Sequence, residues 1–437
     1  MQRMKRGFLQ TTLAALAAVV SLSLTAAPAQ AEIRIDINQG VTQPMPIAIT
    51  DFPGDSVGSQ ISQIITADLQ RSGLFAPIDP RAFTQDAASL QQGPRFADWK
   101  VLAAQALVTG QVRPRGDGRF DVDFRLWDVA AEQQLTGLTL TGDSALMRRV
   151  AHKIADEIYR AVTGEDGYFD TRVVYVSETG PETNRVKRLA IMDQDGANHQ
   201  FLTDGSQLVL TPRFSPNTQQ ITYLAYVNNK PRVYLLDLGS GRQESLGDFA
   251  NMTFSPRFSP DGNRVIFSMA QAGNTDIYVM DLRTRSVQRL TSDPSIETSP
   301  SYSKDGSQIV FESDRGGSQQ LYIMNSDGSG VRRLSFGQGR YGTPVWSPRG
   351  DLIAFTKITG GSFSVGVMRP DGTGERDLAS GFLAEGPTWA PNGRVLMYTA
   401  SGGGSSKLVT VDITGRVSAA VPTPFDASDA AWSPLLP

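Results

Sequence analysis

Cysteine is absent from this 437-residue chain, and histidine occurs only twice. Without cysteine the chain forms no disulfide, so burial and hydrogen bonding alone must hold its cores together. The same scarcity removes the usual nitrogen and sulfur ligands of a metal site. Neither His152 nor His199 has a cluster of candidate ligands beside it in the sequence, and we interpret both as packing or surface residues. We therefore expect no metal and no cofactor.

Residue sets for catalysis are also scarce. General acid–base and nucleophilic chemistry often relies on histidine or cysteine beside a partner group, and these residues are few here. The acidic turns around Asp195 and Asp327 lack the final Glu of an EF-hand loop, and we interpret them as hairpin turns. We expect no enzymatic activity. Paired carboxylates from distant loops are the open alternative, because spacing along the chain does not show them.

A long membrane-spanning run is missing, but the first 31 residues differ from the rest. Arg3, Lys5 and Arg6 precede an apolar stretch of small residues, and an Ala-x-Ala pattern ends at Ala31. This order predicts a secretory signal peptide over residues 1–31, cleaved between Ala31 and Glu32. The alternative is an uncleaved anchor helix, for which the stretch is short. No cysteine follows the cleavage point, so no lipid anchor is indicated there.

Excess positive charge is absent as well. The formal charge is −3 and becomes −6 after cleavage, because the leader contains three basic residues and no acidic one. Nucleic acid and anionic lipid attract basic surfaces, so neither is an expected partner. The remaining 406 residues are long enough for two domains with their own cores. We expect a soluble protein of the periplasm, associated with membranes only through partners.

A repeat of 43 or 44 residues occupies most of the remaining chain. Its anchor is a proline, followed two residues later by an aromatic residue, nine later by an aliphatic residue and eleven later by a second aromatic residue. Five copies in this register indicate one structural unit repeated along the chain. The anchor prolines are Pro212, Pro256, Pro300, Pro344 and Pro387.

Each repeat contains the pattern of four short strands. The segment Ser259-Pro260-Asp261-Gly262 suits a type I turn between the first strand and the second. An apolar third strand begins 21 residues after each anchor proline, and a short fourth strand follows it. Four strands in about 40 to 50 residues are typical of a β-propeller blade.

The two ends of the repeat region complete each other. The phrase that ends in Trp432-Ser433-Pro434 repeats the anchor segment, but no second strand follows it. Segments that begin at Val173, Leu189 and His199 match the three missing strands. We therefore predict six blades, with the sixth closed by the C-terminal strand so that no sheet edge is free at the join. An open solenoid is the alternative.

The region before the propeller lacks the repeat and mixes helix and strand patterns. Apolar residues recur at helical spacing over residues 61–69 and alternate as in a half-buried strand over residues 120–126. A second helix is predicted from a cap at Asp143 or Ser144 to Gly164, with Leu146 in its apolar stripe. The predicted organisation is an α/β N-terminal domain over residues 32–165, followed by the propeller over residues 171–437.

The loops that differ between copies fall on one side of the predicted ring. If the first strand of each blade runs from one mouth to the other, the constant turns lie on a far face and the variable loops on a near face. Variable loops on a rigid frame favour a binding surface, although ordinary loop packing is the alternative for each residue. The candidate partner-binding residues are Met252, Thr253, Phe254, Ser255, Glu297, Thr298, Arg340, Tyr341 and Glu385.

The segment after the predicted cleavage point alternates apolar and charged residues. Such a segment can form a strand with one apolar side, which either docks on its own domain or adds to the sheet edge of another protein. The two states are compatible as a switch. The residues concerned are Glu32, Ile33, Arg34, Ile35 and Asp36.

The chain resembles the TolB family of the periplasmic Tol-Pal system over its whole length. Glu32-Ile33-Arg34-Ile35 is similar to the Glu-Val-Arg-Ile start of mature family members. The sequence RSGLF at residues 71–75, the order of the domains and the six repeats add to the resemblance. Many exported propellers share the repeat phrase, whereas the domain order and the N-terminal segment are more specific.

The resemblance implies a non-enzymatic adaptor. TolB proteins bind the lipoprotein Pal at the propeller mouth and TolA through the N-terminal strand, and they support outer-membrane integrity and constriction during cell division. The Pal surface then falls on Met252, Ser255 and Thr298, and the TolA segment on residues 32–36. Met252 departs from a histidine common in the family. Other outer-membrane proteins are further candidate partners, and a periplasmic propeller enzyme or carbohydrate-binding protein with a channel site is the alternative.

Overall fold

The computed structural model describes residues 33–35, 43–54, 56–247 and 253–437. Residues 33–437 belong to one compact unit. The predicted signal peptide, its cleavage site at Ala31 and Glu32, and the candidate residues Asp36 and Met252 lie outside the described residues.

The N-terminal region is a small α/β layer structure. Its five-stranded sheet has the order β2-β1-β3-β4-β5, with β1 parallel to β2 and β3 and the other pairs antiparallel. The strands are β1 (Met45–Ile49), β2 (Phe75–Pro77), β3 (Ala106–Pro114), β4 (Phe120–Asp128) and β5 (Gln133–Gly142), and the helices are α1 (Ser56–Arg71), α2 (Phe96–Val101) and α3 (Met147–Thr163).

Helices α1 and α3 pack together with the sheet through the apolar residues expected from the spacing. Ile61, Ile65 and Leu69 of α1 are fully buried, and the inward residues of β4 alternate with more exposed ones. The predicted start of the second helix is wrong by one turn. The Asp143 carboxylate accepts the backbone N–H groups of Ala145 and Leu146, so the helix begins at Met147 and Leu146 stays 42% exposed.

Six four-stranded antiparallel sheets follow and form the blades of a propeller. Blades 1 to 5 are β9–β12, β13–β16, β17–β20, β21–β24 and β25–β28, and blade 6 has the order β29-β6-β7-β8. The strands are β6 (Arg172–Thr179), β7 (Val186–Asp193), β8 (Gln200–Phe201), β9 (Val209–Phe214), β10 (Gln220–Val227), β11 (Lys230–Asp237), β12 (Gln243–Ser245), β13 (Thr253–Phe258), β14 (Arg264–Gln271), β15 (Asn274–Asp281), β16 (Val287–Arg289), β17 (Glu297–Tyr302), β18 (Gln308–Ser313), β19 (Gln320–Asn325), β20 (Arg332–Arg333), β21 (Arg340–Trp346), β22 (Ile353–Thr359), β23 (Ser362–Met368), β24 (Arg376–Gly381), β25 (Leu383–Trp389), β26 (Val395–Gly402), β27 (Ser405–Asp412), β28 (Ser418–Ala420) and β29 (Asp426–Trp432).

The sixth blade joins both ends of the propeller sequence, which confirms the predicted closure. Strand β29 pairs antiparallel with β6, from Asp426 opposite Glu178 to Trp432 opposite Val173. The first strands of the six blades contact one another in a closed ring around the central channel. Because the ring is closed, the inner strands present no free edge at the join.

The predicted turns define the two faces of the ring. In the turn between β13 and β14, the N–H of Gly262 donates to the carbonyl of Ser259 at 2.9 Å, as a four-residue turn requires. Gly306 and Gly350 repeat this bond in the next two blades, also at 2.9 Å. These turns lie on the far face, and the loops that lead into the first strands lie on the near face.

A β-bulge interrupts the first strand of every blade just before or at the anchor position. One residue in each bulge has a positive φ, between 47° and 64°, a region that costs most side chains about 1–2 kcal/mol. No sequence pattern predicted this feature. The six residues are Thr211, Ser255, Ser299, Thr343, Gly386 and Asp429.

Three of these bulges connect neighbouring blades. The backbone N–H of Thr343 donates to the Glu312 carboxylate at 2.8 Å, and that of Gly386 donates to the Thr356 hydroxyl at 3.1 Å. The N–H of Asp429 donates in the same way to Thr399 at 3.1 Å. Each acceptor belongs to the second strand of the preceding blade, so the bulge turns its peptide out of its own sheet toward the neighbour.

The α/β region contacts the far face of the propeller through charged groups. Glu165, just after α3, pairs with Arg394 at 2.7 Å and with Arg349 at 3.0 Å. Arg148 of α3 pairs with Asp193, the last residue of β7, and with Asp195 in the turn that follows. These ion pairs bridge the two regions at several separate points.

A buried carboxylate lies at the centre of this interface. The side chain of Asp68 in α1 is fully buried, and its Oδ2 lies 2.6 Å from Nδ1 of His152. Its Oδ1 accepts Nε2 of Gln194 from the propeller at 3.0 Å and also pairs with Arg71. Burial lowers the pKa of His152, but the adjacent Asp68 charge and hydrogen bond raise it above its usual value overall.

Candidate partner-binding face

The near face brings together the described candidate residues from four blades. Phe254 and Ser255 lie at the start of β13, Thr298 in β17 and Glu385 in β25, and all four side chains are half-buried. Arg340 opens β21 and is exposed. These residues lie in the first half of the inner strands, on the side of the ring opposite the constant turns; their role in partner binding stays a prediction.

Thr298 contacts a carboxylate of its own blade that also binds the next blade. Its hydroxyl donates to the Glu312 carboxylate, which also accepts the backbone N–H of Thr343. Glu312 is only 9% exposed, and burial raises its pKa. A change at Thr298 therefore alters both the mouth and the connection between two blades.

Glu297 and Tyr341 are placed differently from the other candidates, because both side chains are buried within their blades. Glu297 pairs with Arg315, whose guanidinium also lies over the rings of Phe311 and Tyr322 at 5.7 and 5.1 Å. The Tyr341 hydroxyl donates to Glu375 at 2.7 Å, and burial raises its pKa to about 12. These two residues therefore contribute to the packing beneath the near face and are not exposed to a partner.

Five large apolar side chains project from the loops of the near face, and none of them was among the candidate residues predicted from the sequence. Each lies just before the first strand of a different blade. Blade 2 is the exception in the described residues, because residues 248–252 before its first strand are not described. A single exposed apolar residue in a polar loop is common and does not by itself indicate a binding surface. The recurrence of such a residue before successive blades could have identified these side chains from the sequence. They are Leu208 (42% exposed), Ile296 (51%), Phe336 (74%), Phe382 (82%) and Phe425 (46%).

The near mouth also has an acidic side. Burial raises the pKa of Glu385, and the neighbouring negative charge of Asp429 raises it further. Glu385 and Asp429 lie on the first strands of adjacent blades. The mouth therefore combines exposed apolar loops with partly buried carboxylates.

The described part of the N-terminal segment docks on its own α/β region. The backbone N–H of Ile35 donates to the carbonyl of Val162 in α3 at 3.0 Å, and the side chain is only 9% exposed. The N–H of Ile33 donates to Asp128 at 3.3 Å. The docked position agrees with one of the two expected states. The predicted exposed strand is wrong for the described residues, because residues 33–35 form no strand and Ile35 is buried against α3.

At the interface between the α/β region and the propeller, three side chains lie close enough together to bind a metal ion. No other such cluster occurs among the described residues. His152, Asp193 and Asp195 each place one ligand atom within 4.8 Å of the others. The prediction that neither histidine has ligands near it is therefore wrong for His152, because folding brings the turn after β7 against α3. Arg148 already pairs with both aspartates, so the carboxylates serve the interface.

One stretch with the spacing of a nucleophile motif, Gly54-x-Ser56-x-Gly58, leads into α1. Ser56 is exposed, and neither histidine forms a described hydrogen bond to it. His152 is turned instead toward Asp68. In the described residues this stretch is the start of a helix without an adjacent base. Within the same ranges, no helix is both long and apolar enough to span a membrane.

Two family profiles match most of the chain. The TolB amino-terminal domain matches residues 33–135, and the TolB beta propeller domain matches residues 159–436. The Tol-Pal system protein TolB of Paramagnetospirillum magneticum is 60% identical over 229 residues. That alignment covers 51% of this chain and 51% of the relative, so the matched part spans about half the length of that relative.

Solved structures agree with the profiles. The crystal structure of TolB from Acinetobacter baumannii superposes with a TM-score of 0.82 at 31% identity, covering 90% of this chain and 97% of that one. Hydrazine synthase of Kuenenia stuttgartiensis, at 13% identity and a TM-score of 0.51, covers 62% of this chain and 47% of its own, and shows a shared fold alone. The order of the two regions, the six closed blades and the family profiles together establish that the chain belongs to the TolB family.

Proposed function

We propose that this protein is a periplasmic, non-enzymatic adaptor of the Tol-Pal system, which binds Pal at the near face and TolA through its N-terminal segment. Its role would be to support outer-membrane integrity and constriction during cell division. Membership of the TolB family and the name of the 60% identical relative support the assignment of this protein to the Tol-Pal system. We also propose that the two functions belong to two domains, the α/β domain at residues 32–165 and the propeller at residues 171–437.

The exposed apolar side chains of the near face are the observation that carries the Pal proposal. Phe382 and Phe336 are 82% and 74% exposed on the same side of the ring. Large exposed apolar groups beside a polar rim are typical of protein interaction surfaces. Aromatic residues and arginine are enriched among residues that dominate binding energy, and Arg340 lies on the same face. Pal binding at this face buries these groups.

Changing Phe382 to Asp weakens Pal binding by about 30-fold or more, because an aromatic anchor at an interface contributes about 2 kcal/mol or more. Thr298→Arg has the same direction of effect by placing a long cation at the mouth. Binding is measured by calorimetry or by pull-down with the soluble domain of Pal. The matched control is Val101→Asp on α2, where an 86% exposed apolar side chain lies in the α/β region. Unchanged binding by both mouth variants would rule out the near face.

The docked N-terminal segment supports a switch for TolA binding. Two backbone hydrogen bonds and the buried Ile35 side chain hold the described part in place. The bond to the Val162 carbonyl contributes about 0.5–1.5 kcal/mol and the bond to the Asp128 carboxylate about 1.5–3 kcal/mol, so the described part can be released at moderate cost. A released segment with alternating apolar residues can add to a sheet edge of a partner.

Deletion of residues 32–37 abolishes TolA binding and leaves Pal binding within about twofold of the wild-type value, because the described residues 33–35 contact α3 and β4 of the α/β region and not the near face. TolA binding is measured by surface plasmon resonance, and circular dichroism melting checks that the propeller remains folded. The control variant is Arg34→Lys, which keeps the charge and the docked backbone. Loss of Pal binding with retained TolA binding would reverse the proposed assignment of the two sites.

A further inference from the structure

The far half of the propeller channel contains a cavity of about 360 Å³ whose charged lining side chains are all basic. Arg213, Arg257 and Lys304 line it, and no lining residue is acidic. Aromatic rings form much of the remaining wall. They are Phe214, Phe258, Tyr302, Trp346 and Trp432.

The two arginines occupy equivalent positions in adjacent blades. Each directly follows the anchor position of the repeat, on the first strand that faces the channel. The other four blades have an uncharged residue there, so the basic charge is concentrated on one side of the ring. The six residues in blade order are Arg213, Arg257, Ser301, Val345, Thr388 and Ala431.

Neither guanidinium has an acidic partner within ion-pair distance in the described ranges. Arg213 donates to the carbonyl of Pro212 beside it at 2.6 Å, and in the described ranges the Arg257 guanidinium forms no hydrogen bond. Burial lowers the pKa of both arginines, and the charge of Arg213 lowers that of Arg257 further. Only the more distant Asp429 opposes this effect at Arg213. Two half-buried cations that face the same space are unfavourable without a counter-charge.

We propose that this cavity binds a small diffusible oxyanion, either a carboxylate or a phosphate, between Arg213 and Arg257. The planar guanidinium presents paired N–H donors that match these groups, and the resulting charge-assisted bonds are strong. The volume lies in the range of small-molecule sites, about 300–1,000 Å³. The aromatic wall accommodates an organic body attached to the anion. This site goes beyond the adaptor function and lies away from the near face.

Calorimetric titration of the purified protein with citrate and with inorganic phosphate, at constant ionic strength, tests the proposal and distinguishes the two anion classes. At least one of them binds saturably to the wild type. Arg257→Met weakens this binding by at least tenfold, since a charge-assisted hydrogen bond contributes about 1.5–3 kcal/mol. Arg257→Lys keeps the charge but loses the planar fork, so its affinity falls between the two.

The control variant is Arg283→Met, which removes an exposed arginine from the turn after β15. It binds the anion like the wild type. In a buffer whose only anion is chloride, the melting temperature of Arg257→Met is no lower than that of the wild type, because the repulsion between the two guanidiniums is removed. The same result is expected for Arg213→Met, the second variant. Heats equal to those of sodium chloride, or full affinity in both methionine variants, would overturn the site. Binding of an acidic tetrapeptide with no binding of either small ion would equally contradict it.

Discussion

Removal of residues 426–437 leaves a chain that no longer unfolds cooperatively. The deletion takes away β29, the innermost strand of blade 6, and exposes the edge of β6. Trp432 is 6% exposed, and its indole N–H donates to Thr171 at 2.8 Å. Loss of one buried aromatic side chain costs about 3–5 kcal/mol. Loss of the whole strand therefore approaches or exceeds the total stability of a typical domain, about 5–15 kcal/mol.

The truncated chain is compared with the wild type by circular dichroism melting and limited proteolysis. The matched control removes only residues 434–437, which lie beyond β29. That deletion loses the hydrogen bond from Leu436 to Asp170 and the one from Arg149 to Pro437, and destabilises the protein by about 1–3 kcal/mol. If the chain without β29 melted cooperatively at the wild-type temperature, ring closure would not be the source of propeller stability.

Replacement of Asp68 by Ala destabilises the protein by about 3–5 kcal/mol, because it leaves buried charged groups without their partner. His152, Arg71 and Gln194 all depend on this carboxylate, and they come from α3, α1 and the propeller. The loss is measured as the free energy of unfolding in urea. Because the interface is affected, the transition also separates into two steps for the two regions.

The surface variant Glu132→Gln is the matched control for Asp68. It breaks the pair between Glu132 and Lys100, whose side chains are 54% and 44% exposed. Exposed pairs contribute about 0–1 kcal/mol, so this variant unfolds almost like the wild type. Equal losses from the two variants would show that the buried carboxylate does not hold the interface.

The repeat made the propeller predictable from the sequence. A fixed spacing of anchor prolines specified the strands, the turns and the number of blades, because every blade solves the same packing problem with the same residue types. The closure was also predictable, since three strands were missing at one end and one strand was left over at the other. The α/β region had no repeat, and the start of its second helix was misplaced by one turn.

Contacts between distant residues were not predictable in the same way. His152 lies 84 residues from Asp68 and more than 40 from Asp193 and Asp195, and no local pattern connects them. The near-face prediction depended on variability between loops, which does not distinguish an exposed side chain from a buried one. For this reason Tyr341 and Glu297 were grouped with exposed residues, and Phe336 and Phe382 were not recognised.

The bulges in the inner strands affect how the ring loses its structure. In an open array, each repeat contacts only its neighbours, and the end repeats can fray one at a time. Here the peptides of Thr343, Gly386 and Asp429 are bound to the preceding blade, and β29 removes the free ends. Blades 4 and 5 cannot detach without breaking such bonds on both sides. We therefore expect the propeller to unfold as a single cooperative unit, so that a partner bound to one blade stabilises all six.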